Sequence, residues 1–230
     1  MAEPIALGLA RLVESLRFEE LPAETVRHAK VLLLDSLGCL VGGLDGPPVV
    51  AARRLVGQLS GKPASTVVGT PFKATAPLAA FANGTALRYL DYNDAYHGRR
   101  DAAHPSGNFP IALAVAEAGH RSGRDLISAI VAGYEVHGRF ADLAGEPSLK
   151  RRGWHNATNL QFSGAAMAAR LMGASAETIA NAIAISATHQ SVLAQIQHGN
   201  IPSMKATNDG WIARSEEHTS ELQSRFGTRM

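Results

Sequence analysis

Alanine constrains this chain more than any other feature. About one residue in six is alanine, roughly twice the usual share. Many recur three and four positions apart among other small residues. That spacing puts small side chains on helix faces and lets neighbouring axes approach closely. Only one short β-branched run, Ser65 to Gly69, reads as a strand. The expected fold is therefore all-α, a bundle of packed helices.

The limits of the helices follow from apolar spacing and from glycine and proline. Pro4 to Phe18 carries one stripe through Ile5, Leu7, Leu9, Leu12, Val13 and Leu16. Pro22 opens a second helix, continued by Val26, Ala29, Leu33, Leu37 and Leu40. Gly42-Gly43 and Gly46-Pro47-Pro48 are expected to end it. Further helices are predicted over Val49 to Leu59, Pro77 to Leu90, Ile111 to Gly119, Arg124 to Phe140, Ala157 to Met172 and Ala176 to His189. Two polar stretches, Asp91 to Pro110 and Gly145 to Asn156, have no period. Loops held on a packed scaffold are where catalytic groups concentrate.

Several functional classes are excluded or left without support. Lys+Arg of 22 against Asp+Glu of 20 gives a net charge of +2, no footprint for nucleic acid or an anionic membrane. The lone cysteine, Cys39, excludes an internal disulfide and any multi-cysteine zinc or iron–sulfur site. No apolar run reaches the ~18 residues of a membrane span; Val31-Leu32-Leu33-Leu34 is cut by Asp35. The start, Met1-Ala2-Glu3-Pro4, lacks the pattern of a signal peptide, so a cytoplasmic setting is the default expectation. His28, His120, His137, His189 and His198 form no HExxH or close ligand pair, and no metal site is expected.

Three clusters hold residues able to do chemistry. The first runs from Arg88 through Asp91, Asn93 and Asp94 to His104, Pro105 and Ser106. Asp91 and His104 have the types of an acid/base pair; equally, Asp91 suits a helix end and His104 a buried carbonyl. The second is Arg151-Arg152-Gly153-Trp154-His155-Asn156, where His155 serves either chemistry or packing. The third surrounds Lys205, a cation among Ser203, Thr207 and Asn208, which alone reads as a solvated lysine.

The last residues break the pattern. From Arg214 to Ser224 the chain resembles the in-frame translation of a sequencing-library adapter. Residues 1–213 are therefore expected to form one incomplete helical domain, and 214–230 to be a non-native tail.

Taken in order, Leu34-Asp35-Ser36-Leu37-Gly38-Cys39, Asn83-Gly84-Thr85-Ala86-Leu87-Arg88-Tyr89-Leu90-Asp91-Tyr92-Asn93-Asp94, His104-Pro105-Ser106, Gly153-Trp154-His155 and Met204-Lys205-Ala206-Thr207-Asn208-Asp209-Gly210-Trp211 resemble the MmgE/PrpD family, which includes 2-methylcitrate dehydratases and cis-aconitate decarboxylases. The Arg-Tyr-Leu-Asp form looks most like the 2-methylcitrate dehydratase side.

The resemblance implies a large helical domain followed by a smaller α/β lid, of which this chain carries only helical sequence. It implies catalytic roles for Asp91, His104, His155 and Lys205. A threonine often found four residues after the aspartate is Ala95 here. The same resemblance implies a metal-independent lyase without a cofactor, acting on a polycarboxylate, and a homodimer when complete. Within that frame Arg88, Asn93 and Ser106 are candidate substrate-binding residues. Dehydration of 2-methylcitrate is the leading expectation; decarboxylation of cis-aconitate, or isomerisation or epimerisation of a related polycarboxylate, is the alternative. A helical dimerisation module without catalysis is the reading from another class. Little turnover and poor solubility are expected of this chain alone.

Overall fold

A computed structural model describes residues 3–59, 61–99, 102–143, 147–188, 191–198 and 204–226, with side chains to 215. Among these, nine α-helices supply the frame: α1 (Ile5–Ser15), α2 (Ala23–Gly42), α3 (Pro47–Gln58), α4 (Ala76–Tyr89), α5 (Asn108–Ala118), α6 (Gly123–Leu143), α7 (Thr158–Leu171), α8 (Ala176–Ser186) and α9 (Met204–Phe226). Two antiparallel hairpins of two-residue strands join them. One pairs β1 (Ser65–Thr66) with β2 (Lys73–Ala74), and the other pairs β3 (Tyr96–His97) with β4 (Ala102–Ala103). The all-α expectation holds.

The boundaries differ where proline and small polar residues decide. Pro47 and Pro48 begin α3 instead of closing α2. At the first helical positions the missing N–H costs no bond, and the fixed φ already suits a helix. Helix α5 likewise starts at Asn108, with Pro110 in its first turn. The strand expected over Ser65 to Gly69 is only two residues long before the chain turns. Its hairpin is tied to α4 by Asn83, whose Oδ1 accepts from Val68 N–H at 3.0 Å while Nδ2 donates to the Thr66 carbonyl at 2.9 Å. The second hairpin lies inside the stretch expected to be irregular. The C-terminal limit expected for α8, His189, falls outside the described residues.

The core has two parts. One is built from α2, α3, α4, α5 and α9, with Leu40, Leu87, Phe109, Ile111 and Ile212 nearly inaccessible. The other joins α1, α6, α7 and α8 through Leu9, Val13, Val136, Ile179 and Ile183. Helix α7 serves both, and all but two of its residues are buried. Arg170 of α7 donates to the carbonyls of Val13 at 2.5 Å and Glu14 at 3.2 Å. It thereby satisfies the open C-terminal end of α1.

Helix α4 is buried on nearly every side, which its run of Ala, Gly and Thr permits. Its main partner is α9, and the two cross at a glycine on each. A Cβ on Gly84 would lie 2.9 Å from the Gly210 Cα; one on Gly210 would lie 2.4 Å from the Phe81 carbonyl oxygen. Only hydrogen at both positions allows this approach. Helix α9 also crosses Ala213, beyond which a tail was expected; Glu, Leu, Gln and Arg there are good helix formers. The buried face of α9 comprises Ala206, Asn208, Asp209, Ile212 and Ala213. No helix among the described residues is long and apolar enough to cross a membrane.

Candidate active site

The α4–α9 crossing fixes the centre of the site. Arg88, one turn beyond Gly84, is 3% exposed; Asp209, beside Gly210, is 4% exposed. Arg88 Nε lies 3.2 Å from Asp209 Oδ2. The same guanidinium donates from Nη1 to Asp91 Oδ1 and, at 3.0 Å, to Asn93 Oδ1. Asn93 passes the chain on, donating from Nδ2 to Ser106 Oγ at 2.7 Å. One buried cation thus orders two acceptors on the loop after α4 and a third, Asp209, on α9.

Asp91 ends α4 in a left-handed turn at φ 53°, with its N–H donating to the Arg88 carbonyl at 3.2 Å. Asp and Asn accept that conformation more readily than most side chains. The turn presents the carboxylate to Arg88 on one side and to Lys205 Nζ on the other, at 2.5 Å. Burial would raise the Asp91 pKa, but the bonds from Lys205 and Arg88 outweigh it and hold the group down at about 2. Burial likewise pushes the Asp209 carboxyl up, against the pull of Arg88. The Lys205 ammonium has three donors, and its bond to Asp91 uses one.

The two histidines are prepared in opposite ways. His104 Nδ1 lies 2.7 Å from the backbone carbonyl of Asp94. A carbonyl only accepts, so the proton is on Nδ1 and the Nε2 lone pair is open. His155 is 3% exposed, and its Nδ1 accepts from Ala157 N–H at 3.0 Å. Its neutral form therefore carries the proton on Nε2, which lies 2.5 Å from Gln197 Nε2; the Gln197 amide accepts that proton only with its oxygen turned to this position. Burial first, then the charges of Arg88, His104 and Lys205, push the His155 pKa down to about 4. His155 is neutral at pH 7.

Local structure explains the placement of His155. Gly153 sits at φ 90°, a value that strains any side chain, and this turn exposes Trp154 and directs His155 inward. His155 N–H donates to the Val192 carbonyl at 2.6 Å, and Trp154 bridges to Leu193. Asn156 donates to the Ala102 carbonyl, joining this loop to the strand that leads into His104.

Arg88, Asp91, Asn93, Ser106 and Lys205 therefore meet in one hydrogen-bonded chain. His155 lies close enough for the charges of Arg88 and Lys205 to lower its pKa, and His104 close enough to act on Asp209. The expected contact between Asp91 and a histidine is replaced. The Asp91 carboxylate spends its bonds on Arg88 and Lys205, and a backbone carbonyl orients His104. Arg88, Asn93 and Ser106 bond one another and the protein, and so shape the site from behind. Three contributors were missed: Tyr134, Asp209 and Gln197, while Asp94 stood in the first cluster without a role. Asp209 lay within the sequence markers, whereas Tyr134 and Gln197 carry no local signal. His137, 1% exposed and bonded at Nδ1 to Ser163 Oγ at 3.2 Å, is held neutral by burial, with its pKa at about 3.

The Gly–Gly crossing of α4 and α9 thus brings Asp91 and Lys205 together, with two histidines close by. The MmgE/PrpD N-terminal domain matches residues 8–215, and the chain belongs to the MmgE/PrpD family. It is 32% identical over 196 residues to cis-aconitate decarboxylase of Homo sapiens, covering 82% of this chain and 40% of that protein. It is 30% identical over 170 residues to mitochondrial 2-methylcitrate dehydratase of Yarrowia lipolytica, covering 67% and 31%. Against 2-methylcitrate dehydratase of Escherichia coli K12 the figures are 28% over 202 residues, covering 80% and 39%. The chain thus spans less than half the length of these relatives.

Proposed function

We propose that this chain is the helical part of a metal-independent lyase that acts on a polycarboxylate, with dehydration of 2-methylcitrate as its leading reaction. The observation that carries the reading is the opposed preparation of His104 and His155 beside the network of Arg88, Asp91 and Lys205. Elimination of water breaks a C–H bond α to a carboxylate and the C–O bond on the next carbon. The base takes the proton from carbon and, once protonated, gives it to the departing hydroxyl, which leaves as water.

His104 Nε2, with its lone pair open, is the base in this reading. His155, neutral and protonated on Nε2, donates a hydrogen bond to the oxygen on which charge gathers. Lys205 holds a substrate carboxylate with the donors that Asp91 leaves it. Arg88 keeps Asp91 ionised, so that its carboxylate holds Lys205 in place. Asn93 and Ser106 hold the loop in register.

Decarboxylation of cis-aconitate is the second reading, favoured by the identity to the human decarboxylase, which exceeds the identities to the two dehydratases. Both need one proton-moving histidine and fixed cations. Homodimerisation of the longer protein and a cytoplasmic setting belong to the same proposal, as does the adapter origin of residues 214–230. Rereading the source DNA across the codon for Arg214 tests the last. On the chain extended as that DNA dictates, 2-methylcitrate, cis-aconitate and related polycarboxylates are assayed side by side. His104→Ala and His155→Ala are each expected to remove turnover. Retention of kcat by both variants overturns the assignment.

A further inference from the structure

Asp94 is used at three atoms, and all three uses converge on His104. Its backbone carbonyl accepts from His104 Nδ1–H at 2.7 Å. Its Oδ1 accepts from the N–H of Ser106, two residues beyond His104, at 3.1 Å. Its Oδ2 accepts from the hydroxyl of Tyr134, in the middle of α6, at 2.7 Å. The β3–β4 hairpin leaves the body of the protein just after Asp94 and returns just before His104. One residue therefore closes the base of that hairpin and anchors it to a long core helix.

The hydrogen bond made by one imidazole nitrogen decides which nitrogen bears the proton. A carbonyl that drifts, or rotates away, no longer holds the proton on Nδ1. The Asp94 carbonyl is held from both carboxylate oxygens. The Tyr134 hydroxyl is held in its protonated form, first by burial and then by the Asp94 charge, so it remains a donor. Tyr134 is further braced by Phe109, ring centroids 5.8 Å apart.

We propose that Asp94 and Tyr134 are the positioning residues of this site: they lock His104 in the Nδ1–H form and so present Nε2 as the proton acceptor. The proposal rests on the reading of His104 as the base, and it extends that reading to two residues that need not touch substrate.

The test uses the chain as it stands and needs no substrate. Long-range 1H–15N correlation spectra of the histidine rings, at a pH above their titration, report which nitrogen is protonated. Wild-type His104 is expected to show a protonated-type shift at Nδ1 and an unprotonated-type shift at Nε2. Tyr134→Phe and Asp94→Ala are expected to move the tautomer ratio about five- to tenfold towards Nε2–H, the effect of one lost hydrogen bond. Asp94→Asn, which keeps an acceptor for Tyr134, is expected to restore most of the Nδ1–H form. His155, held by Ala157, should stay Nε2–H in every variant and reports that the fold is intact.

An Nε2–H tautomer for His104 in the wild type overturns the proposal. So does an unchanged ratio in Asp94→Ala and Tyr134→Phe while His155 keeps its signature. Failure of the functional reading is a separate result: His104→Ala then retains turnover in the extended chain, whatever the tautomer.

Discussion

Replacing Gly210 with alanine sets a methyl carbon 2.4 Å from the Phe81 carbonyl oxygen and 2.6 Å from Thr85 Oγ1. Neither atom is free to retreat, because Thr85 Oγ1 itself donates to that carbonyl at 2.8 Å within α4. Reaching an ordinary contact of 3.4 Å needs a separation of 3.4 − 2.4 = 1.0 Å between the two helices. Overpacking of this kind costs about 1–3 kcal/mol, and a clash against backbone belongs at the upper end. Alanine returns about 1 kcal/mol through its higher helix propensity. The net loss is about 2 kcal/mol, or about 4–8 °C in Tm for a chain of this size.

The control is Gly38→Ala, in the interior of α2, where an added Cβ meets nothing within 4 Å. There only the propensity gain operates, and Tm should rise by about 2–4 °C. Thermal and urea denaturation followed by circular dichroism read both variants. Equal shifts of the same sign for Gly210→Ala and Gly38→Ala would refute the close-crossing argument, since backbone preference alone would then account for both.

Three further outcomes follow from the electrostatics. His155 has a folded pKa of about 4 against an ordinary 6.5, so the unfolded chain binds the extra proton as pH falls; stability should drop by about 3 kcal/mol between pH 6.5 and 4. A urea midpoint that stays level or rises over that window contradicts this, and buried His137, pushed down for the same reason, adds to the drop. Arg88→Met strands Asp209 without its buried partner and should cost about 3–5 kcal/mol. In Arg88→Met/Asp209→Leu a substantial part of that loss should return; denaturation of all four members of the cycle measures it, and strict additivity would deny the pair. Lys205→Met should raise the Asp91 pKa from about 2 towards 3.8, seen by carboxyl 13C titration. Because Asp91 is depressed in the fold, its stabilising effect is complete above pH 3.8 and fades as pH falls through about 2; an unmoved titration would separate Asp91 from Lys205.

The helices that bury one face were legible because apolar spacing records which face is buried. Helices α1, α2, α6 and α8 are of this kind. Helix α4 is buried all round and has little stripe to read; its alanines and Pro77 marked it instead. The β3–β4 hairpin was illegible because two-residue strands have no period. The first turns of α3 and α5 were misread because proline marks both the end of one helix and the start of the next.

In the site, Asp91, His104, His155 and Lys205 stood out by chemical type and order. The bonds that join them did not. Asp91 and Lys205 are 114 residues apart, Tyr134 and Asp94 40 apart, and Gln197 and His155 42 apart. Nothing in local spacing records a meeting across such distances. The competing readings of Asp91 and His104 also turned out to be compatible: Asp91 does end a helix, and His104 does satisfy a carbonyl, and each keeps another atom for the site.

The pairing of α4 with α9 has a consequence for how the protein is made. A ribosome adding about 5–20 residues per second needs roughly 6–23 s to travel the 114 residues from Asp91 to Lys205. Throughout that interval Arg88 and the glycine face of α4 lack the helix that covers them in the finished molecule. The nascent chain emerges with its most buried cation still wet and the small-residue groove beside it open. Chaperones that shield exposed helix faces, and synonymous codons that set the pace between α4 and α9, therefore act on the very step that creates the site.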